Sequence, residues 1–249
     1  MNHEPDLTPP VELPVADALA LLECGELSVE GRLVDASNAT LYCAISADGV
    51  TAACVYKPIA GERPLWDFPD GTLAEREVAA YAVSAATGWD IVPPTVYRVG
   101  PAGPGMVQLW IDTDDGADLI ALIRGRASSA IRQVSVFDAV INNADRKGGH
   151  LLPTASGHIY GVDHGVSFHT EDKLRTVLWQ WAGRTLPEDT REVLRSLRRD
   201  LDAGLGERLS DLLTSAEVRR TRARIDRLVS TGRHPEPSDE WPAVPWPPM

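Results

Sequence analysis

Two aspartates, Asp145 and Asp163, stand 18 residues apart, each closing an apolar run, with a turn midway between them. The first lies in Asn143-Ala144-Asp145-Arg146-Lys147-Gly148-Gly149-His150, the second in Gly161-Val162-Asp163-His164-Gly165. Leu151-Leu152-Pro153, the turn Thr154-Ala155-Ser156-Gly157 and the apolar His158-Ile159-Tyr160-Gly161-Val162 separate them. This order predicts a loop, a short hairpin and a second loop. A hairpin folds back on itself, so the two carboxylates are expected on the same edge. Two acids converging beside a glycine-bearing loop form a seat for a divalent cation and a phosphate group. Taken alone, Asp145 reads better as an ordinary turn aspartate; the order of the parts along the chain is what changes the weighing.

Upstream, Val55-Tyr56-Lys57-Pro58 ends a strand-like run, and Glu77 lies in the helical pattern Glu75-Arg76-Glu77-Val78-Ala79-Ala80-Tyr81. Strand lysine, helix glutamate, loop aspartate and second loop aspartate, in that order, are the polar parts of a protein-kinase-like phosphotransferase. The chain resembles the atypical branch of the kinase superfamily that includes type II phosphatidylinositol 4-kinases and HipA-type kinases. More narrowly, it looks like the phosphatidylinositol 3-/4-kinase-like proteins of actinobacteria. The residues that carry the resemblance are Tyr56-Lys57-Pro58, Glu77-Val78-Ala79-Ala80-Tyr81, Val107-Gln108-Leu109-Trp110, Asn143-Ala144-Asp145-Arg146 and Val162-Asp163-His164-Gly165, framing residues 27–185.

The resemblance implies an α+β, two-lobed protein-kinase-like fold, with a strand-rich N-lobe over 14–112 and a helical C-lobe over 113–233. A flexible segment 1–13 and a Pro/Trp-rich tail 234–249 are expected to flank them. It further implies ATP and Mg or Mn as cofactors. Lys57 would hold nucleotide phosphates, with Glu77 (rather than Glu75) holding the lysine. Ser37, Asn38 and Thr40, between the first two strands, stand where the phosphate-covering loop belongs. They carry no Gly-x-Gly-x-x-Gly, and a plain hairpin turn explains them equally well. Gln108, Leu109 and Trp110 would form the hinge, pairing backbone with adenine.

Asp145 would receive or orient the acceptor's hydroxyl proton, while Arg146 or Lys147 offsets charge on the transferred group. Asp163 would be the main metal ligand. His150 departs from the pattern, standing where related kinases carry asparagine. An imidazole suits manganese or zinc better than magnesium, or it contacts phosphate instead. The expected activity is ATP- and metal-dependent phosphoryl transfer to a hydroxyl on a protein, small molecule or lipid. A nucleotide-binding pseudokinase or regulatory protein, and an AMP-transferring enzyme, remain as alternatives.

Composition narrows the field. A formal net charge of −12 over 249 residues opposes nucleic-acid binding, which needs a positive face. No apolar run approaches the roughly 20 residues of a transmembrane helix. Met1-Asn2-His3-Glu4-Pro5-Asp6 lacks a basic segment followed by an apolar core, so a cytoplasmic protein is expected. Cys24, Cys43 and Cys54 are odd in number and read as reduced thiols packing like small hydrophobes. His158, His164 and His169 read as turn or surface residues, and Arg219, Arg220, Arg222, Arg224 and Arg227 as a solvated helix face.

Periodicity predicts a helix over 15–23, strands over 27–34, 40–45 and 51–57, and a helix capped by Thr72 running to Thr87 with Gly88 as its stop. A strand pair over 95–99 and 106–111 follows, then a crossing over 112–118. Helices are expected from Ser128 or Ser129 to Asn142 and over 174–181, 188–201 and 216–229.

Overall fold

A computed structural model describes residues 13–33, 38–126 and 128–249. Ser37 lies outside the described residues. The first half is a five-stranded antiparallel sheet in the order β1-β2-β3-β5-β4, formed by Glu26–Arg32, Leu41–Ala47, Val50–Pro58, Thr95–Gly100 (β4) and Gly103–Leu109 (β5). Alternation decides its buried face. Cys43 and Ile45 on β2 and Cys54 and Tyr56 on β3 are fully buried, against Leu21 and Leu22 of helix α1 (Val15–Cys24). Asp48 and Gly49 both adopt positive φ, 50° and 79°, as a two-residue hairpin requires. Cys43 and Cys54 face each other in register as free thiols, whose pKa values burial pushes up to about 11 and about 12, whereas Cys24 is exposed.

Helix α2 (Leu73–Thr87) crosses behind the sheet and ends at Gly88, φ 66°. Thr72 does not cap it with its side chain, contrary to the sequence expectation. The Glu62 carboxylate accepts instead from the N–H groups of Leu73 and Ala74 at 3.2 and 2.8 Å, an acid at the positive end of the helix. Arg76, on the face opposite the sheet, is buried. It donates to the Ser167 carbonyl and the Glu217 carboxylate and lies over the Phe68 ring, tying α2 to the helical half.

That half contains α3 (Leu119–Arg124), α4 (Ser129–Ile141), the hairpin β6–β7 (Leu151–Pro153, Ile159–Gly161), α5 (Glu188–Asp200), α6 (Gly204–Ser210) and α7 (Ser215–Thr231). Ser128 caps α4. The predicted stripe Ile131, Val134, Phe137, Val140 and Ile141 is buried throughout, and with residues of α2, α5 and α7 it forms the main core. Thr214 and Glu217 make a reciprocal capping box at α7.

Two expectations are corrected. Residues 174–181 are not a helix beyond the short turn Trp179–Trp181, because their backbone pairs elsewhere. Arg175 N–H donates to Asn143, Val177 N–H to Arg146, and Thr176 N–H to Ala243. The α7 arginines are not a free face: Arg224 is buried on Asp172 and the His169 carbonyl, and Arg220, Arg222 and Arg227 each hold a loop or carboxylate. The tail is irregular but anchored, Pro248 accepting from Gly148 N–H and Ala243 from Trp179 Nε1. Among the described residues no helix is long and apolar enough to cross a membrane.

Candidate active site

Between the sheet and the helical half lies a cavity of about 530 Å³, lined among others by Asn38, Lys57, Glu77, Asp145, Lys147 and Asp163. The volume falls in the range that takes a small ligand. Lys57 is the penultimate residue of β3. Its ammonium donates to Glu77 Oε1 at 2.7 Å and to Asp163 Oδ1 at 2.8 Å. Burial opposes the charge, but Asp163 and Glu77 together raise the lysine above its ordinary pKa. The second oxygen of Glu77 accepts the backbone N–H of His164 at 2.9 Å. One buried carboxylate therefore sets both the lysine and the loop bearing Asp163.

Asp163 sits in the left-handed region, φ 62°, which aspartate enters more readily than most residues. Its carboxylate is half-exposed to the cleft, and the Lys57 ammonium holds it well below the usual carboxylate range, against the effect of burial. The other oxygen of Asp163 is 3.3 Å from His150 Nε2. Burial pushes the His150 pKa down to about 4, against the pull of Asp163, which favours the neutral imidazole, the form that can ligate a metal. An ionised carboxylate and a neutral imidazole side by side fit a divalent ion. Among the described residues no group of three or more His, Cys, Asp or Glu is arranged for a metal. Such an ion would need phosphate oxygens or water to complete its shell, as is common where the metal arrives with a nucleotide.

Asp145 lies on the facing loop. Its N–H donates to Asn143 Oδ1 at 2.9 Å, and its carboxylate lies 3.1 Å from the Lys147 ammonium. Burial raises its pKa, Lys147 counters, and the charge of Asp163 adds to the rise. A carboxylate so placed is a better proton acceptor than a free aspartate.

Arg146 is the main correction. Its side chain is wholly buried, so it cannot reach a phosphoryl group in the cleft. Its guanidinium spans both oxygens of Asp138 on α4, at 3.0–3.2 Å, and donates to the carbonyls of His150 and Val162 at 3.3 and 3.1 Å. It also meets His164 Nε2 at 2.6 Å. Asn143 donates to the same Asp138. Asp138, which sequence reasoning missed, is thus the hub that clips the two aspartate loops together. Its signal was present as a lone acid inside the apolar run Phe137-Asp138-Ala139-Val140. His164 is likewise no surface residue: it is fully buried between Arg146 and Glu77.

The hinge expectation is also corrected. Gln108, Leu109 and Trp110 do not line the cavity. The N–H groups of Leu109 and Trp110 already donate to Pro94 and Ala53, at 2.9 and 3.0 Å, so they are not free for an adenine edge. The Gln108 amide is spent on Thr95, and Trp110 packs edge-on against Tyr42. On the loop after β1, Asn38 lines the cleft while its amide oxygen holds Arg63 N–H. Thr40 is buried, its hydroxyl facing the Asn38 carbonyl.

A Mycobacterium tuberculosis protein described as Protein Rv2133c is 42% identical over 265 aligned positions, covering 93% of this chain and 95% of its own. No protein-family profile matches the chain. Among solved structures, the Golgi casein kinase matches with a TM-score of 0.57 and 13% identity, over 87% of this chain and 75% of that one, both in one crystal structure and in another with Mn/ADP bound. The Helicobacter pylori proinflammatory kinase CtkA matches with a TM-score of 0.51 and 11% identity, over 84% of this chain and 94% of its own. The fold is therefore kinase-like.

Proposed function

We propose a reaction for this chain, which belongs to the same family as the Mycobacterium tuberculosis protein Rv2133c: transfer of the γ-phosphoryl group of ATP to a hydroxyl acceptor. The observation that carries the reading is the connected set Glu77–Lys57–Asp163–His150, facing Asp145 across one cavity. The kinase-like fold supports it.

Lys57 would hold nucleotide phosphates, exchanging part of its bond to Asp163 for a phosphate oxygen while Glu77 keeps it in place. Asp163 and His150 would hold a divalent ion that offsets phosphate charge. Asp145 would take the acceptor's proton as the hydroxyl oxygen bonds to the γ-phosphorus. The bond to the β–γ bridging oxygen breaks, and ADP leaves with its electron pair. Lys147, 3.1 Å from Asp145, would steady the carboxylate and the migrating phosphoryl group. A second reading, nucleotide binding without transfer, is favoured by His150 standing where a metal-binding asparagine was expected.

A thermal scan with ATP and either Mg or Mn tests the binding step. A ligand at 100 times its Kd stabilises by about 2.7 kcal/mol, so a clear rise in Tm is expected. Lys57→Met should remove that rise, measured against its own ligand-free scan. Asp145→Asn should keep the rise and lose ADP formation. No shift with either metal would end both readings.

A further inference from the structure

The cleft extends past Asp145 to a wall that the proposed transfer does not use. Of the five cations lining it, Lys57 and Lys147 are paired as described, and Lys173 is held by Asp67 at 2.9 Å and Glu171 at 3.4 Å. Arg175 and Arg63 face the same space, and neither has a carboxylate within salt-bridge distance among the described residues. Arg175 Nε is moreover a buried donor without a partner, a group whose lost hydration a ligand oxygen would make good.

Arg175 is not a loose surface chain. Its backbone N–H donates to Asn143 and its carbonyl accepts from Arg146, both at 3.0 Å. That fixes it alongside the loop that carries Asp145. The neighbouring wall is aromatic. Trp66 and Trp241 stack at 6.2 Å with Lys173 Nζ lying 4.7 and 4.3 Å from their ring centres. Trp66 and Trp246 line the cleft yet remain 83% and 85% exposed. Large indoles so exposed in a chain with few aromatics point to a ligand surface. The tail that brings Trp241 and Trp246 is held by Thr176 N–H to Ala243 and Gly148 N–H to Pro248, on either side of Trp246.

We infer that this end of the cleft is the acceptor subsite, and that it takes a phosphorylated polyol whose phosphate is received by Arg175 and Arg63 and whose carbon skeleton lies against the tryptophans. This rests on the phosphotransfer reading. A guanidinium fork matches a phosphate, indole faces suit the C–H faces of a polyol, and Asp145 lies at the junction where a hydroxyl would be presented. The same headgroup chemistry could come free or on a phospholipid.

Tryptophan fluorescence of the full chain, saturated with Mn and ADP, tests it with glucose 6-phosphate, fructose 6-phosphate, glycerol 3-phosphate, glucose and phosphatidylglycerol vesicles. At least one phosphate ester should change the emission saturably, with a Kd at least tenfold below that of glucose. Arg175→Gln should weaken it tenfold or more while the Tm rise with Mn and ADP is kept; Arg63→Gln should act in the same direction, and serves if the first variant folds poorly. Binding confined to the vesicles and lost in Arg175→Gln would assign the same chemistry to a lipid headgroup. Equal binding of glucose overturns the inference, as does an Arg175→Gln variant that no longer responds to nucleotide, which would place that guanidinium on ATP. If Mn and ADP raise the Tm but neither esters nor vesicles bind, the subsite fails and the phosphotransfer reading stands. If Mn and ADP have no effect either, both fall.

Discussion

Replacing Arg146 by Met should unfold the protein more readily, and should do so before any question of catalysis arises. Arg146 and Asp138 are both wholly buried and meet through three hydrogen bonds of 3.0–3.2 Å. Removing one partner of such a pair costs about 3–5 kcal/mol, because the other charge stays buried and unpaired. The carbonyls of His150 and Val162 lose their donor as well. A loss of at least about 4 kcal/mol is a large part of the 5–15 kcal/mol typical of a domain. At about 2–4 °C per kcal/mol for a chain of this size, the Tm should drop by about 8–16 °C. Urea unfolding followed by circular dichroism reads the same quantity. Asp138→Leu combined with Arg146→Met should be less destabilised than the sum of the two single changes, since no lone charge remains. Arg146→Met within about 1 kcal/mol of the wild type, but inactive, would refute the reasoning and return Arg146 to a chemical role.

Three further outcomes are expected. His150→Asn should move the metal preference of ATP stabilisation from Mn toward Mg, because a carbonyl oxygen replaces a neutral imidazole nitrogen; an unchanged preference would assign His150 to packing. His234 is buried, accepts from Arg132 Nε at 3.0 Å, and has a pKa that burial and Arg132 lower to about 4 from 6.5. The unfolded chain therefore takes up this proton first, and native stability falls as pH drops from 6.5 to 4, by about 3 kcal/mol. Urea unfolding of His234→Gln should show that much less loss over the window; parallel acid limbs would contradict it. Glu77→Gln should weaken ATP stabilisation, since Lys57 loses its anchoring charge and swings toward Asp163; an undiminished shift would mean that Asp163 alone sets the lysine.

The alternation of β2 and β3, the apolar stripe of α4 and the hairpin between Asp145 and Asp163 were legible because each follows from local periodicity. The Lys57–Glu77–Asp163 set was legible from order along the chain. What remained hidden depends on partners far apart in sequence. Arg146 looks catalytic beside Asp145 until α4 presents Asp138 to it. Residues 174–181 carry a helical pattern, yet their backbone groups find the loop bearing Asp145 and the tail, which outweighs a weak local preference. Leu109 and Trp110 read as a hinge, and only the sheet shows their N–H groups already taken. Arg175 left no motif at all; the cue to it is a buried donor facing a cavity.

The central claim is tested most directly by incubating the protein with ATP labelled separately at the α and γ positions, in Mg and in Mn, with water or the phosphorylated polyols above as acceptor. The account predicts that γ-label leaves as phosphate or as phosphorylated acceptor while α-label stays in ADP, with Mn supporting more turnover than Mg and Asp145→Asn and Asp163→Ala abolishing it. Transfer of α-label to the protein or acceptor would contradict phosphoryl transfer in favour of AMP transfer. Intact ATP throughout, despite a rise in Tm on adding nucleotide, would leave a binding protein and not an enzyme.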